Sequence, residues 1–365
     1  MSTDVALQAL TLTLGAFRLQ SLNLTVSRGQ ILVILGPNGS GKSVTLEIIA
    51  GFHRPDSGRV LIGGRDVTAL APEQRNVGYV VQNFGLFPHL TVAQNIAIAR
   101  RTDRKIIETG KALSVPRDDK GLLAYFDVAH LAHRWPEDLS PGEKQRVALA
   151  RVLASEPDLF LFDEPFTALD TQTRDQLRGD LLSFLRTLSI PAIFVTHDHA
   201  DAMMLADRIA VLREGAVVQD GPAADIFGRP VSSFVAGFLG VENILKAQVI
   251  ETTDTLTVLA IGDRKLRASG PMVAAAGDPV CLAIRAEHVT ISPPQAEQPP
   301  SFAVNRFEGL VTSVRSLNPL VTVEVDCGFP LKGYLLAPQA RAMNIEAGKA
   351  VAVEIAAKAV HIMAD

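Results

Sequence analysis

The chain has only two cysteines, Cys281 and Cys327, in 365 residues. Neither sits in a metal-ligand pair, so the spacing argues against zinc and leaves two reduced thiols as the expectation. Long apolar runs are also missing. No stretch approaches the roughly 18 residues needed to span a bilayer, and Met1-Ser2-Thr3-Asp4 opens nothing that resembles a signal peptide. The chain is therefore expected to stay in the cytoplasm. An excess of positive charge is absent as well: Lys and Arg number 35 against 39 Asp and Glu, a net charge of −4. That balance argues against a nucleic-acid partner held by a broad basic face. Core-forming residues are not scarce. At 47% hydrophobic and 365 residues the chain exceeds one typical domain and has ample material for packed cores.

The most informative segment follows the apolar run Ile31-Leu32-Val33-Ile34-Leu35. It reads Gly36-Pro37-Asn38-Gly39-Ser40-Gly41-Lys42-Ser43, a buried strand running into a glycine-rich loop that ends in Lys and Ser. This is a P-loop. Its glycines let successive backbone N–H groups turn around a polyphosphate, and the helix starting near Lys42 adds the positive end of its dipole. Lys42 is expected to reach the β- and γ-phosphates, and Ser43 to offer a hydroxyl to Mg²⁺.

A second apolar run, Leu159-Phe160-Leu161-Phe162, ends in Asp163 and Glu164. Such a run is expected of a parallel strand covered on both faces, and ligands sit at the carboxyl ends of such strands. Asp163 is placed to hold Mg²⁺, directly or through water, and Glu164 to polarise a water attacking the γ-phosphate. Ala192-Ile193-Phe194-Val195-Thr196-His197 has the same character. Taken alone, His197 reads as a structural histidine; on the same sheet edge as Lys42 and Glu164 it reads as catalytic.

Between these runs lies Leu139-Ser140-Pro141-Gly142-Glu143-Lys144-Gln145-Arg146. Ser140 suits an N-cap, Pro141 the first helical position and Glu143 the acid of a capping box. Here the chain resembles the ATP-binding-cassette (ABC) ATPases, whose signature reads L-S-G-G-Q, with Pro141 and Glu143 as departures. The resemblance implies that Ser140 and Gly142 bind ATP held by a second subunit. It also implies that Gln82 is the Q-loop glutamine, sensing Mg²⁺ and the attacking water, and that Asp170, in Ala168-Leu169-Asp170, belongs to the D-loop. Phe17 is either the aromatic that stacks on adenine or a core residue of an N-terminal strand.

A coarse pass gives an α/β ATPase core over 1–235, interrupted by a helical stretch at about 90–150. Arg100-Arg101-Thr102-Asp103-Arg104-Lys105 reads as a solvated helix face. The helix near 200–206, with Met203 and Met204, reads as ordinary packing; Arg208 to Val218 reads as a hairpin and Phe234 to Val241 as a connecting helix. Over 236–365 the pattern turns to period two: Val280, Leu282 and Ile284; Val321, Val323 and Val325; Val351, Val353 and Ile355. Short strands with Gly and Pro turns imply an all-β, OB-like small barrel. The Pro-rich stretch 292–300 reads as a link between two lobes.

Ile284-Arg285-Ala286-Glu287-His288-Val289, Asn305 with Gly309, Val325-Asp326-Cys327-Gly328 and Lys358-Ala359-Val360-His361 make this tail resemble the TOBE/MOP-type regulatory domain of importer ATPases. Oxyanion-binding relatives carry S-A-R-N where this chain has Phe302-Ala303-Val304-Asn305, which argues against oxyanion binding by that stretch. Taken together, the resemblance implies the ATPase of an importer, with ATP and Mg²⁺ as cofactors. It implies a homodimer closing on two ATP, two transmembrane permease subunits and, indirectly, a periplasmic or extracellular solute-binding protein, at the cytoplasmic face of the membrane. The whole-chain pattern is most like molybdate or tungstate importers, with ferric iron, sulfate, polyamine and sugar importers as alternatives. A soluble ABC ATPase outside transport is the alternative from another class.

Overall fold

The protein is described by a computed structural model covering residues 3–81, 84–100, 116, 118–167, 171–270, 275–294 and 303–363. It divides into two compact units, Met1–Ile226 and Phe227–Asp365.

The first unit runs β1 (Thr3–Leu14), β2 (Phe17–Ser27), β3 (Ile31–Leu35), α1 (Lys42–Ala50), β4 (Ser57–Ile62), β5 (Arg65–Asp66), β6 (Val77–Val80), α2 (Val92–Ala97), α3 (Asp119–Tyr125), α4 (Pro141–Ala154), β7 (Leu159–Asp163), α5 (Thr171–Leu188), β8 (Ala192–Val195), α6 (His199–Leu205), β9 (Arg208–Arg213) and β10 (Ala216–Pro222). A six-stranded sheet has the order β10-β9-β3-β8-β7-β6. Every pair in it is parallel except β9 with β10, the hairpin read from the sequence. All residues of β3 and β8 are buried, which is why both read as unbroken apolar runs. The Phe162 and Phe194 rings stack across β7 and β8 with centroids 4.3 Å apart, and fully burying a ring of this size contributes about 1.5–3 kcal/mol.

Because β3, β7 and β8 are parallel, the loops after them emerge at one sheet edge. The second sheet, β2-β1-β4-β5, is antiparallel in every pair. It shares a core with α1 and the first sheet through residues such as Leu10, Leu22, Leu46, Leu32 and Val195.

The expected helical stretch contains α2, α3 and α4. Thr91 caps α2 by accepting from the Gln94 N–H, and Ser140 caps α4 in the same way. Arg100 stands just outside α2; Arg101 to Lys105 lie outside the described residues. On α6, Met203 and Met204 are 65% and 47% exposed. They are not packed as expected, because the period places Ala202 and Leu205 on the buried face instead.

α7 (Ala223–Gly228) precedes the second unit's α8 (Ser233–Phe238). The expected connecting helix is shorter than 234–241 because Gly240, at φ +77°, turns the chain, and the Val241 N–H closes back on the Ala236 carbonyl at 3.0 Å. There follow β11 (Asn243–Thr252), β12 (Leu256–Ile261), β13 (Arg264–Ser269), β14 (Pro279–Ile284), β15 (Val289–Ser292), β16 (Val304–Leu317), β17 (Leu320–Asp326), β18 (Pro330–Leu336), α9 (Ala337–Ala342), β19 (Ala350–Ala356) and β20 (His361–Met363).

These strands make two five-stranded antiparallel sheets, β13-β12-β11-β14-β20 and β15-β19-β16-β17-β18, an all-β region consistent with an OB-like domain. The period-two residues of β14, β17 and β19 all enter one shared core. Asn305 is buried and structural: its Oδ1 accepts from the Arg267 N–H at 2.7 Å, and its Nδ2 donates to the Arg267 and Ile355 carbonyls. Phe302 and the stretch 295–300 lie outside the described residues.

Candidate active site

The P-loop leaves the buried end of β3 and delivers the chain to the start of α1. Pro37, Asn38 and Gly39 are exposed, while Gly36, Ser40, Gly41 and Lys42 are buried. Gly41 occupies φ +104°, and a Cβ there would stand 2.6 Å from Phe17 Cζ. Only glycine fits. Phe17 is thus half-buried, packed against the first unit's core with its ring edge on the P-loop.

Gly41 also caps α1 without a side-chain bond, and no acid occupies the first turn. The first-turn N–H groups and the helix dipole therefore meet no carboxylate of their own helix, the arrangement suited to a phosphate. The Ser40 hydroxyl is buried without a hydrogen-bond partner, a further donor matched to a ligand oxygen.

Lys42 Nζ donates to the Gly36 carbonyl at 2.8 Å and the Pro37 carbonyl at 3.1 Å, so its ammonium curls back over the loop. Burial holds its pKa below the ordinary lysine value, while Glu164 and Asp163 oppose that shift. Ser43 Oγ donates to Asp163 Oδ1 at 3.2 Å, and Tyr79 Oη donates to Asp163 Oδ2 at 3.2 Å. Burial raises the Asp163 pKa against these two hydrogen bonds. The Tyr79 phenol is raised too, chiefly by burial and then by the Asp163 charge. A hydroxyl and a half-buried carboxylate from separate elements thus converge beside the lysine, which is the oxygen donor set Mg²⁺ prefers.

Glu164 sits at φ +47°, left-handed backbone that a non-glycine residue adopts at a cost of about 1–3 kcal/mol. The Glu164 N–H donates to the Val195 carbonyl at 2.9 Å, pinning the turn to β8. Its Oε1 lies 3.0 Å from His197 Nδ1, and Thr167 Oγ1 donates to Oε2 at 3.1 Å. With the carboxylate ionised it only accepts, so His197 carries its proton on Nδ1. His197 is 52% exposed and Glu164 21%, so both reach solvent where a ligand would enter.

Behind His197 lies a network for which the sequence offered little sign. Arg178, buried, donates to Asp175 at 2.7 Å and to Asp198 Oδ2 at 3.2 Å, and pairs with Asp201. Thr196 Oγ1 donates to Asp201 Oδ2 at 2.8 Å, and Asp198 Oδ1 accepts from the Ala200 N–H to cap α6. The acid directly after His197, ahead of a helix, was the one readable signal. Tyr79 carried none, because its partner is 84 residues away.

The loop, Asp163, Glu164 and His197 are therefore gathered within one chain. Ser140 and Gly142 are not. Ser140 N donates to Glu143 Oε2 at 2.7 Å, and its Oγ accepts from the Glu143 N–H. Among the described residues neither Ser140 nor Gly142 is hydrogen-bonded to the P-loop. Gln82 and Asp170 lie outside the described residues.

A polyphosphate-binding loop on a parallel sheet, faced by an aspartate, a glutamate and a histidine at the same strand ends, defines a P-loop nucleotide-binding ATPase. The family model for "ABC transporter" matches residues 19–167. Among curated relatives, the molybdate/tungstate import ATP-binding protein WtpC of Pyrococcus horikoshii is 37% identical over 95% of this chain and 96% of its own. The sulfate/thiosulfate import ATP-binding protein CysA of Rhodopseudomonas palustris is 38% identical over 85% of each chain. Among solved structures, cbiO1 from Clostridium perfringens, part of the ABC transporter complex cbiONQ, aligns with a TM-score of 0.53 at 26% identity, over 62% of this chain and 91% of that one. A dimeric ATP-binding cassette bound to ADP and Pi aligns with a TM-score of 0.50 at 29% identity, over 60% and 98%. The chain belongs to the ABC transporter family, as an import ATP-binding subunit: an ATPase coupled to transport. Among the described residues no helix is long and apolar enough to cross a membrane.

Proposed function

We propose that this chain powers uptake of a molybdate- or tungstate-type oxyanion, working as a homodimer on two permease subunits at the cytoplasmic face of the membrane. The observation that carries the substrate class is the 37% identity with a molybdate/tungstate import ATP-binding protein over nearly the full length of both chains. The dimer rests on two things: among the described residues Ser140 and Gly142 make no hydrogen bond to their own P-loop, and a related cassette is dimeric with ADP and Pi bound. In each composite site, Lys42 and the P-loop of one chain face Ser140 and Gly142 of the other. Asp170 is assigned to the D-loop, and Phe17 supplies the adenine-facing edge. The second unit is a TOBE-like regulatory domain, and coupling to the permease runs through the surface near Gln82 and His89.

Within the site, Lys42 contacts the β- and γ-phosphates through an ammonium already stripped of most of its water. Ser43 and Asp163, with Gln82, would hold Mg²⁺, which would neutralise phosphate charge there. Tyr79 holds Asp163 in place from its second oxygen. Glu164 accepts the proton of the attacking water. Thr167 and His197 fix both of its oxygens, and Arg178, acting through Asp198 and Asp201, holds the histidine loop.

Deleting the gene tests the substrate class. Uptake of molybdate or tungstate is expected to fail when the anion is scarce. Normal molybdate and tungstate uptake combined with defective sulfate, iron or polyamine uptake would reassign the substrate while leaving the ATPase reading intact.

A further inference from the structure

The second unit contains a cavity of about 510 Å³, and it plays no part in the ATPase site. Among the described residues, those lining it lie between Phe227 and Ile362, inside that one unit. Their ionisable members are Arg229, Arg285, His288, Lys358 and His361, with no aspartate or glutamate among the described lining residues. In a chain whose acids outnumber its bases, that segregation needs a reason. Cations gathered around a concavity repel one another, and an anion bound among them offsets the repulsion.

Two of the cavity's side chains are held rigidly by the segment that forms one wall. Arg285 donates from Nη2 to the Phe227 carbonyl at 2.9 Å, with Nε at 3.3 Å. His361 Nε2 donates to the Pro230 carbonyl at 2.8 Å. Burial keeps the His361 pKa below its ordinary value, and Arg229, Arg285 and Lys358 bring positive charge to the lining. Glu287 Oε1 lies 3.8 Å from Arg285 Nη1; Glu287 is 50% exposed and not among the lining residues. An arginine has five N–H donors, so donors of Arg285 are left for a ligand.

The remaining wall is apolar, with Val241, Ala283, Val360 and Ile362 among its residues. The volume falls within the roughly 300–1,000 Å³ of sites for small organic ligands and is far more than one inorganic anion fills. We propose that this cavity binds a small organic anion, with a phosphate- or sulfate-type head among Arg229, Arg285 and Lys358 and a carbon body against Val241, Ala283 and Val360.

Phenyl phosphate is the probe, titrated calorimetrically into the full chain carrying Lys42→Ala, so that the P-loop does not compete for phosphate. The expected result is saturable binding, one per chain, at millimolar concentration or below. Lys358 and His288 are exposed and their replacement does not threaten the fold. Lys358→Met is expected to weaken binding about tenfold or more, the usual worth of a charged hydrogen bond, and His288→Gln to weaken it less. Phenol, lacking the head, is expected not to bind, and inorganic phosphate, lacking the body, to bind more weakly. The proposal is overturned by absence of saturation at about 10 mM, a concentration equivalent to only about 3 kcal/mol, or by equal binding in wild-type and Lys358→Met backgrounds. Tungstate or phosphate binding more tightly than phenyl phosphate would make this an inorganic anion site and would also overturn the proposed class.

Discussion

Replacing Gly142 by alanine separates folding from function, because nothing in the chain itself requires glycine there. Gly142 is the second residue of α4, and a Cβ built on it would meet only Leu177 Cδ2, at 3.8 Å, an ordinary van der Waals contact. Alanine in a helix is favoured over glycine by roughly 0.5–1 kcal/mol, less in the first turn. For a unit of this size 1 kcal/mol moves the midpoint by about 2–4 °C, so Gly142→Ala is expected to melt at the wild-type temperature or up to that much above it. In the proposed composite site, by contrast, the methyl would stand where the other chain's γ-phosphate approaches the backbone.

Keeping a phosphate oxygen one methyl radius away forfeits a hydrogen bond to a charged group, about 1.5–3 kcal/mol, or more than tenfold in turnover. Scanning calorimetry and steady-state ATP hydrolysis, measured across protein concentration, give both numbers. Wild-type turnover per chain is expected to rise with concentration as dimers form, and the variant's to stay low. Full activity in a variant of undiminished stability would refute the two-chain site. A variant that loses activity only because it melts early would refute the claim that Gly142 is sterically free.

Glu164→Gln is expected to keep ATP binding while lowering hydrolysis about 10²- to 10⁴-fold, the range for a general base, with ATP-dependent dimers accumulating on a sizing column; undiminished turnover would remove Glu164 from the chemistry. Lys42→Ala is expected to lose nucleotide affinity itself, since the ammonium contacts the ground-state phosphates, and unchanged affinity by calorimetry would contradict its assigned contact. Glu143 accepts from Ser140, which holds its pKa below the ordinary carboxylate value. A lowered folded pKa contributes stability above the unfolded value of 4.5, lost as pH falls through the folded value. Acid titration of wild type and Glu143→Gln is expected to show a smaller stability loss below about pH 4.5 in the variant; identical curves would mean that the capping box contributes nothing.

Much of the site was legible because its chemistry is contiguous. The P-loop is eight consecutive residues, and its conformation follows from glycine's freedom and a helix start that needs no tertiary partner. Asp163-Glu164 and His197 were legible because a strand buried on both faces reads as an apolar run and ends where ligands bind. The period-two runs of β14, β17 and β19 likewise marked inward faces before any sheet was known. Met203 and Met204 were misplaced because hydrophobicity alone does not tell which face of a short helix the rest of the chain leaves open.

Sequence by itself determined, then, the elements whose instructions are local: the loop, the strand ends, the cap at Ser140 and the alternation of the tail. Only the tertiary structure decided which of those ends meet. The order β3-β8-β7-β6 puts Ser43 within hydrogen-bonding distance of Asp163 across 120 residues of chain and Tyr79 of the same carboxylate across 84. It also decided that Arg178 holds the loop of His197, and that basic residues from distant stretches of the tail line one cavity. The physical reason is that such contacts depend on strand order and packing between segments far apart in sequence, and no residue's own propensity encodes the neighbour that folding brings to it.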